Sequence, residues 1–208
     1  MSDKNKRRLT TKEQLRAEKV GGIIAHKEKE GYKQTNITIS IVKANVFAAV
    51  VGVIGIILSV ALYYKIHGSF TSNYGWKFVL FLLLSFVIHE LIHGLFWGLF
   101  ASEHYKSIEF GFIVQMLTPY CTCLEPLKKW QYLVGCIMPG VILGLFPFIA
   151  AYIIGSTIML IYGLVMLVGA VGDIMIVIKL LRFKSESKDV IYIDHPTEGG
   201  LIALEKIS

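Results

Sequence analysis

The chain has 208 residues, a formal net charge of +6 and 54% apolar residues, with a mean hydropathy of +0.60. A water-soluble domain sits near about 45–50% apolar and lacks repeated apolar runs of ~20 residues, so these totals exclude an ordinary soluble enzyme and point to a polytopic membrane protein folded as one bundle. The positive charge gathers at the ends, in "DKNKRR", "KEQLRAEK" and "KLLRFKSESK". Basic ends beside apolar spans set orientation, and without an aromatic-basic platform no nucleic-acid partner is expected.

Residues 1–10 are expected to be disordered. Residues 11–30 have helical composition broken at Gly21-Gly22, and read either as a helix lying on the membrane or as a solvated one. "GYKQTNITIS" is polar and β-leaning. The polar first ~40 residues fit no cleavable signal peptide. Residues 1–40 therefore read as a cytoplasmic N-terminal segment.

Four spans follow, at about 44–64, 76–100, 130–154 and 157–181. Each has ~20 residues or more, enough to cross a ~30 Å hydrocarbon core at 1.5 Å per residue. The expected fold is an all-α membrane bundle of about four transmembrane helices, with a core over 41–182 and a cytoplasmic C-terminal tail over 183–208. The positive-inside rule places both termini in the cytoplasm of a multi-pass protein of the cell membrane. Tyr63, Tyr64, Trp76 and Trp130 fall where interfacial aromatic belts belong. His67 reads as a loop histidine without a partner.

The loop between the second and third spans is apolar without helical period. Ile108, Phe110, Phe112 and Val114 alternate with Glu109, Gly111, Ile113 and Gln115; Thr118-Pro119 supplies a turn, and "YCTCL" returns as a second strand. A β-hairpin-like, membrane-associated loop over 108–124 results, either resting on the bilayer or dipping beside the second span, where protein or a watery cavity must cover its backbone. Cys121, Cys123 and Cys136 form no CxxC pair and read as small apolar filler.

The second span carries "FVIHELIHGLFWG". His89 and His93, four apart, share one helix face, with Glu90 on its adjoining edge. Two imidazoles one turn apart can share a tetrahedral Zn²⁺, while the glutamate takes a proton from a water on that ion. Buried histidine and glutamate are costly in hydrocarbon unless paired or metal-bound. The bland alternative is a polar cluster gluing helices together.

Zinc needs a third protein ligand. Position 99 is Leu99, so no histidine follows six residues after His93. Glu103 and His104 lie just past the span, and Glu109 and Glu125 lie in the loop. Asp173, in "VGAVGDIMIVIK", is at membrane depth. Counting from the outer ends puts His89 at about 20 Å, Asp173 at about 24 Å and His93 at about 26 Å. Gly169 and Gly172 allow close helix approach. The competing role for Asp173 is a counter-charge to Lys179 or a capped polar residue near the interface.

An HExxH in a span, a carboxylate in a later span and an apolar hairpin between them resemble the site-2 proteases. More closely, "HELIHGLFW", "EPL", "GAVGD" and "DHPTEGG" resemble the "Putative zincin peptidase" family of small bacterial membrane proteins, from about Gly31 onward. By that resemblance His89, His93 and Asp173 would be zinc ligands and Glu90 the general base. The site-2 pattern itself is not matched throughout. Its Asn-Pro before Leu-Asp-Gly is absent, and "GCIMPG" lacks the Asn of its Gly-Pro helix. The oxyanion stabiliser is thus unassigned, with backbone groups, Tyr120 and His195 as candidates. Asp194-His195-Pro196 reads as tail packed on the cytoplasmic face, or as a contact at the site mouth.

The expected function is an intramembrane zinc metalloprotease acting on membrane-anchored or hydrophobic peptides. Its partners are the lipid bilayer and a membrane protein or peptide substrate, with assembly into a homo-oligomer left open. The rival readings are a non-catalytic metal- or haem-binding membrane protein for transport or sensing, and an inactive peptide-binding relative.

Overall fold

The structure, a computed structural model, describes residues 9–71, 75–113 and 118–207. Residues 1–8, within the stretch expected to be disordered, lie outside these. Helix α1 (Thr11–Lys29) starts at a capping box. Glu13 N–H donates to the Thr10 hydroxyl at 3.3 Å, and the Thr10 N–H donates back to the Glu13 carboxylate at 2.8 Å. The helix runs unbroken through Gly21 and Gly22, against the expected interruption. Two glycines cost about 1 kcal/mol each, and docking of Val20 in a core cluster with Leu124, Ile193 and Leu204 offsets that.

Three long apolar segments, Val42–His67, Trp76–Phe100 and Lys129–Ile154, have the length and composition to cross a membrane. Helix α2 (Ile41–His67) is capped by Ser40 and ends at Gly68 in the left-handed conformation (φ 72). Its last residue, His67, is not a partnerless loop residue: its Nε2 lies 3.1 Å from the Tyr152 carbonyl. Helix α3 (Trp76–Phe100) has the expected bounds. The third segment joins α4 (Lys129–Pro139), a π-helical turn (Gly140–Leu145) and α5 (Phe146–Ile154). Pro139 has no N–H to give the preceding turn, and the helix widens immediately after it.

The expected fourth span is two helices, α6 (Thr157–Gly169) and α7 (Val171–Arg182), bent by 48° at Ala170. Among the described residues three helices are long and apolar enough to cross a membrane, or four if the bent pair is one span. Gly169 and Gly172 on either side weaken helical continuity there. The bend puts Asp173 in the first turn of α7, where orphan N–H groups and the helix dipole favour a carboxylate.

The all-α expectation fails outside the helices. Strands β1 (Tyr32–Thr38), β4 (Leu127–Lys128), β5 (Val190–Asp194) and β6 (Gly200–Lys206) form an antiparallel sheet in the order β1-β6-β5-β4. Tyr32 pairs with Lys206, Val190 with Glu205 and Leu127 with Tyr192. The strand before the first long helix thus pairs with the strand after the last, at one end of the bundle. The main core lies there, where Trp97, Tyr132 and Leu180 from the helices meet Leu127, Tyr192 and Leu201 from the sheet. Away from this junction the helices expose apolar side chains; only 11% of α2's most apolar stretch is buried.

Between α3 and β4, strands β2 (Ile108–Ile113) and β3 (Thr118–Cys123) pair antiparallel. Thr118 and Pro119 are strand residues opposite Ile113 and Phe112, not the expected turn; residues 114–117 lie outside the described residues. Proline is tolerated at an edge position, where no ladder N–H is needed. The hairpin packs closely because α3 carries glycines. A Cβ on Gly94 would stand 2.4 Å from Phe110 Cζ of β2, and one on Gly98 2.4 Å from Tyr105 Cδ1 in the short turn (His104–Ser107) that leads into the hairpin.

Candidate metal centre

The i, i+4 spacing on α3 brings His89 and His93 together, both buried. Their Nε2 atoms lie 3.2 Å apart. The bend before α7 delivers Asp173 opposite them: Oδ2 is 3.0 Å from His89 Nε2 and Oδ1 is 3.5 Å from His93 Nε2. A tetrahedral Zn²⁺ with ligands at ~2.0–2.1 Å spaces its donors about 3.3 Å apart. The three separations are close to that spacing, the two to Asp173 ending on different oxygens of its carboxylate, and two imidazoles with one carboxylate are a donor set zinc takes. The residues present fit the ion.

The orientation of His93 is fixed from behind. Its Nδ1–H donates to the Gly135 carbonyl at 2.8 Å, so neutral His93 carries its lone pair on Nε2, toward His89 and Asp173. Its ring stacks on Trp97, centroids 5.0 Å apart and planes 15° apart. Trp97 Nε1–H in turn donates to the Tyr132 carbonyl at 3.2 Å. Gly135 is what allows this, since a Cβ there would stand 2.0 Å from Trp97 Nε1. Glu90 offers a carboxylate oxygen within 4.8 Å of a ligand atom on each histidine.

The other candidate ligands are engaged elsewhere. Glu125 accepts from the N–H groups of Ser102 at 2.7 Å and Glu103 at 3.2 Å, and from the Ser107 hydroxyl. Glu109 faces Arg16 at 3.5 Å and Lys12 at 3.8 Å. His104 Nδ1 lies 3.3 Å from the Gly98 carbonyl. Lys179 is not a counter-ion to Asp173; it donates to the Thr38 carbonyl.

Two cavities meet here. One, of about 310 Å³, has Glu90, His93 and Asp173 in its wall together with Arg16, Asp194 and His195 from α1 and the tail. The second, of about 630 Å³, is lined by Ala44 and Ala48 of α2, Phe86 and Val87 of α3 and Phe112 of β2, and it also reaches His89 and Glu90. Glu90 belongs to both.

The tail is built into the first cavity's wall instead of resting against the outside. Asp194 is buried and accepts from the Tyr132 hydroxyl and from Cys123 N–H at 2.6 Å. Burial raises its pKa, and the donors Tyr132, Cys123 and Thr122 offset this only in part. Tyr120 carries the Arg16 guanidinium over its ring at 5.0 Å. Sequence reasoning missed the Gly135 carbonyl and the Asp194–Tyr132 pair. The signal for both was present, in the glycine that opens "GCIMPG" and in an aspartate beside an apolar strand.

Two histidines and an aspartate converging from two helices, with a glutamate beside them, form a centre of the zincin kind. A family model described as "Putative zincin peptidase" matches residues 82–188, and the chain belongs to that family, whose description suggests a zinc metallopeptidase. The matched stretch contains His89, Glu90, His93, Gly135 and Asp173. No curated protein and no solved structure matches the chain.

Proposed function

We propose that this protein is an intramembrane zinc metalloendopeptidase, similar to the site-2 proteases, that hydrolyses peptide bonds of membrane-anchored or hydrophobic peptides. The observation that carries the reading is the triangle of His89, His93 and Asp173, with Glu90 beside it where the two cavities meet. His89, His93 and Asp173 would hold the ion, and a Zn²⁺ bound there would supply Lewis acidity, polarising a carbonyl and lowering the pKa of water toward ~7. Glu90 takes the proton of the attacking water, and the same carboxyl later returns it to the leaving amine. Gly135 keeps His93 in the required tautomer.

The polar cavity under α1 and the tail suits entry of water. The apolar cavity between α2, α3 and the hairpin suits a hydrophobic peptide. Strand β3, whose Pro119 to Thr122 line the polar cavity, offers an edge along which an extended substrate can be held by main-chain hydrogen bonds. Pairing of β1 with β6 supports termini on one side of the membrane, and the basic ends support the cytoplasmic side of a bacterial cell membrane.

The test is to purify wild type and Glu90→Gln in detergent, measure zinc per chain, and follow cleavage of a tagged peptide with a single apolar span. Stoichiometric zinc in both, with cleavage only by wild type, is the expected result. Full cleavage by Glu90→Gln refutes the mechanism.

A further inference from the structure

The "DHPTEGG" stretch, Asp194 to Gly200, is a built loop at the mouth of the polar cavity. Asp194 anchors its start to Tyr132 and Cys123. The His195 N–H donates to the Gly200 carbonyl at 3.0 Å and closes the turn. Gly200 adopts φ +130 with Ile37 O only 2.4 Å from where a Cβ would stand, so glycine is required there. Arg16 Nε–H reaches across from α1 to the Pro196 carbonyl at 2.7 Å. Four contacts thus hold a five-residue connection in one conformation.

What that loop holds is the ring of His195. Its Nδ1 accepts from two main-chain donors, Thr197 N–H at 3.3 Å and Glu198 N–H at 3.0 Å. A nitrogen that accepts carries no proton, so neutral His195 has its hydrogen on Nε2. Protonating Nδ1 would aim its new hydrogen at two N–H groups. Burial also lowers the pKa of His195, against the charge of Glu198. The ring is therefore a fixed neutral donor. Ligating a metal through Nε2 would require the proton to move to Nδ1 and break both contacts, and a general base needs a lone pair that Nε2 lacks. His195 lines the same cavity as Glu90, His93 and Asp173.

We infer that His195 is a further catalytic residue: its Nε2–H donates a hydrogen bond to the carbonyl oxygen of the scissile peptide bond as negative charge builds there. This rests on the hydrolase reading above. A neutral, preoriented donor is the kind of group that stabilises such an oxygen without itself transferring a proton. The assignment supplies the oxyanion stabiliser that "GCIMPG", lacking an asparagine, does not.

His195→Asn separates the donor from the fold, because the asparagine Oδ1 can take the place of Nδ1 and keep the turn while nothing occupies the place of Nε2. The probe is a quenched-fluorescent peptide bearing one apolar span, with zinc content measured in parallel and the tautomer read from imidazole ¹⁵N shifts. The expected result is kcat lower by about 10²–10³-fold in His195→Asn, the loss typical of removing one such donor. KM and zinc content stay at wild-type values, the ¹⁵N shifts show the Nε2–H form, and His195→Gln, whose amide reaches the Nε2 position, recovers part of kcat. Wild-type kcat in His195→Asn alongside an inactive Glu90→Gln overturns the role of His195 and leaves the hydrolase reading intact. An Nδ1–H form in the ¹⁵N spectrum overturns it as well. An active Glu90→Gln removes the hydrolase reading itself, and this inference with it.

Discussion

His93 Nδ1 and the Gly135 carbonyl oxygen lie 2.8 Å apart, joining the second span to the third at the metal centre. The carbonyl can only accept, so it selects the tautomer that leaves His93 Nε2 free to ligate. The same glycine makes room for Trp97, which stacks on His93 and is nearly fully buried. Trp97 is held between the His93 ring and the Tyr132 ring, 5.0 and 5.4 Å away. Gly135→Ala should therefore push α3 and α4 apart and withdraw the carbonyl from His93. Loss of such an orienting partner typically costs 10–100-fold in metal affinity, and about that drop is expected here. Competition against a chromophoric zinc chelator measures it; unchanged affinity would show that the carbonyl does not orient the ligand.

Asp173 is the carboxylate in direct contact with both histidines, and its removal leaves them with Glu90, whose carboxylate the mechanism needs as the base, as the remaining neighbour. Asp173→Ala should lose tight zinc binding and cleavage together. Chelation of the wild-type protein should lower its unfolding temperature, because an ion bound only to the folded state contributes about 4 kcal/mol when it is present at about 1,000 times its Kd. Asp173→Ala should show no such shift on chelation. Wild-type zinc affinity in that variant would sink the assignment of the third ligand.

The sequence carried the long helices well, because α3 is an unbroken apolar run whose bounds, Trp76–Phe100, are set by composition alone. The meeting of His89, His93 and Asp173 was legible for a related reason: helix rise converts position in a span into height, and polar residues at equal height have few other partners. The sheet was harder to read. β1, "YKQTNIT", is polar and acquires a reason to be a strand only when β6 arrives from the far end of the chain. The break at Ala170 was masked by apolar residues on both sides, which look continuous to any composition measure. Thr118-Pro119 resembles a turn locally; its strand conformation follows from pairing with Ile113 and Phe112. For β1 a distant partner, and for Thr118-Pro119 the neighbouring strand, decided the outcome against local preference.

Gly94, one residue after His93, touches the hairpin rather than the metal. A Cβ there would meet Phe110 Cζ at 2.4 Å and Ile108 Cγ2 at 3.0 Å. Gly94→Ala gains about 1 kcal/mol of helix propensity, but overpacking of this kind costs about 1–3 kcal/mol. The net expectation is a destabilised hairpin, with weaker cleavage and undiminished zinc. Phe110→Ala removes the opposing ring, so the double variant should unfold at a higher temperature than Gly94→Ala alone, a coupling that a double-mutant cycle isolates. Strictly additive effects would mean that the hairpin does not rest on this glycine.

Cys123, at the end of β3, tests whether the hairpin thiols take part in metal binding. Burial, reinforced by the nearby charge of Asp194, pushes the Cys123 thiol up to about 12, and Cys121 is raised for the same reasons. The Cys123 thiol donates to the Glu125 carbonyl at 3.6 Å, which requires the proton to stay on sulfur. A thiol cannot ligate a metal until that proton is gone. The folded protein should resist iodoacetamide at both positions at pH 8 and react readily once denatured. The linkage has a definite sign: the unfolded thiol ionises near its ordinary value of about 9 while the folded one keeps its proton, so the unfolded state binds fewer protons above that pH. The contribution of Cys123 is fully present below about pH 9 and is lost as pH rises toward about 12. Cys123→Ala should flatten the alkaline decline in unfolding temperature while leaving zinc content unchanged; loss of zinc in that variant would bring the thiols into the metal site.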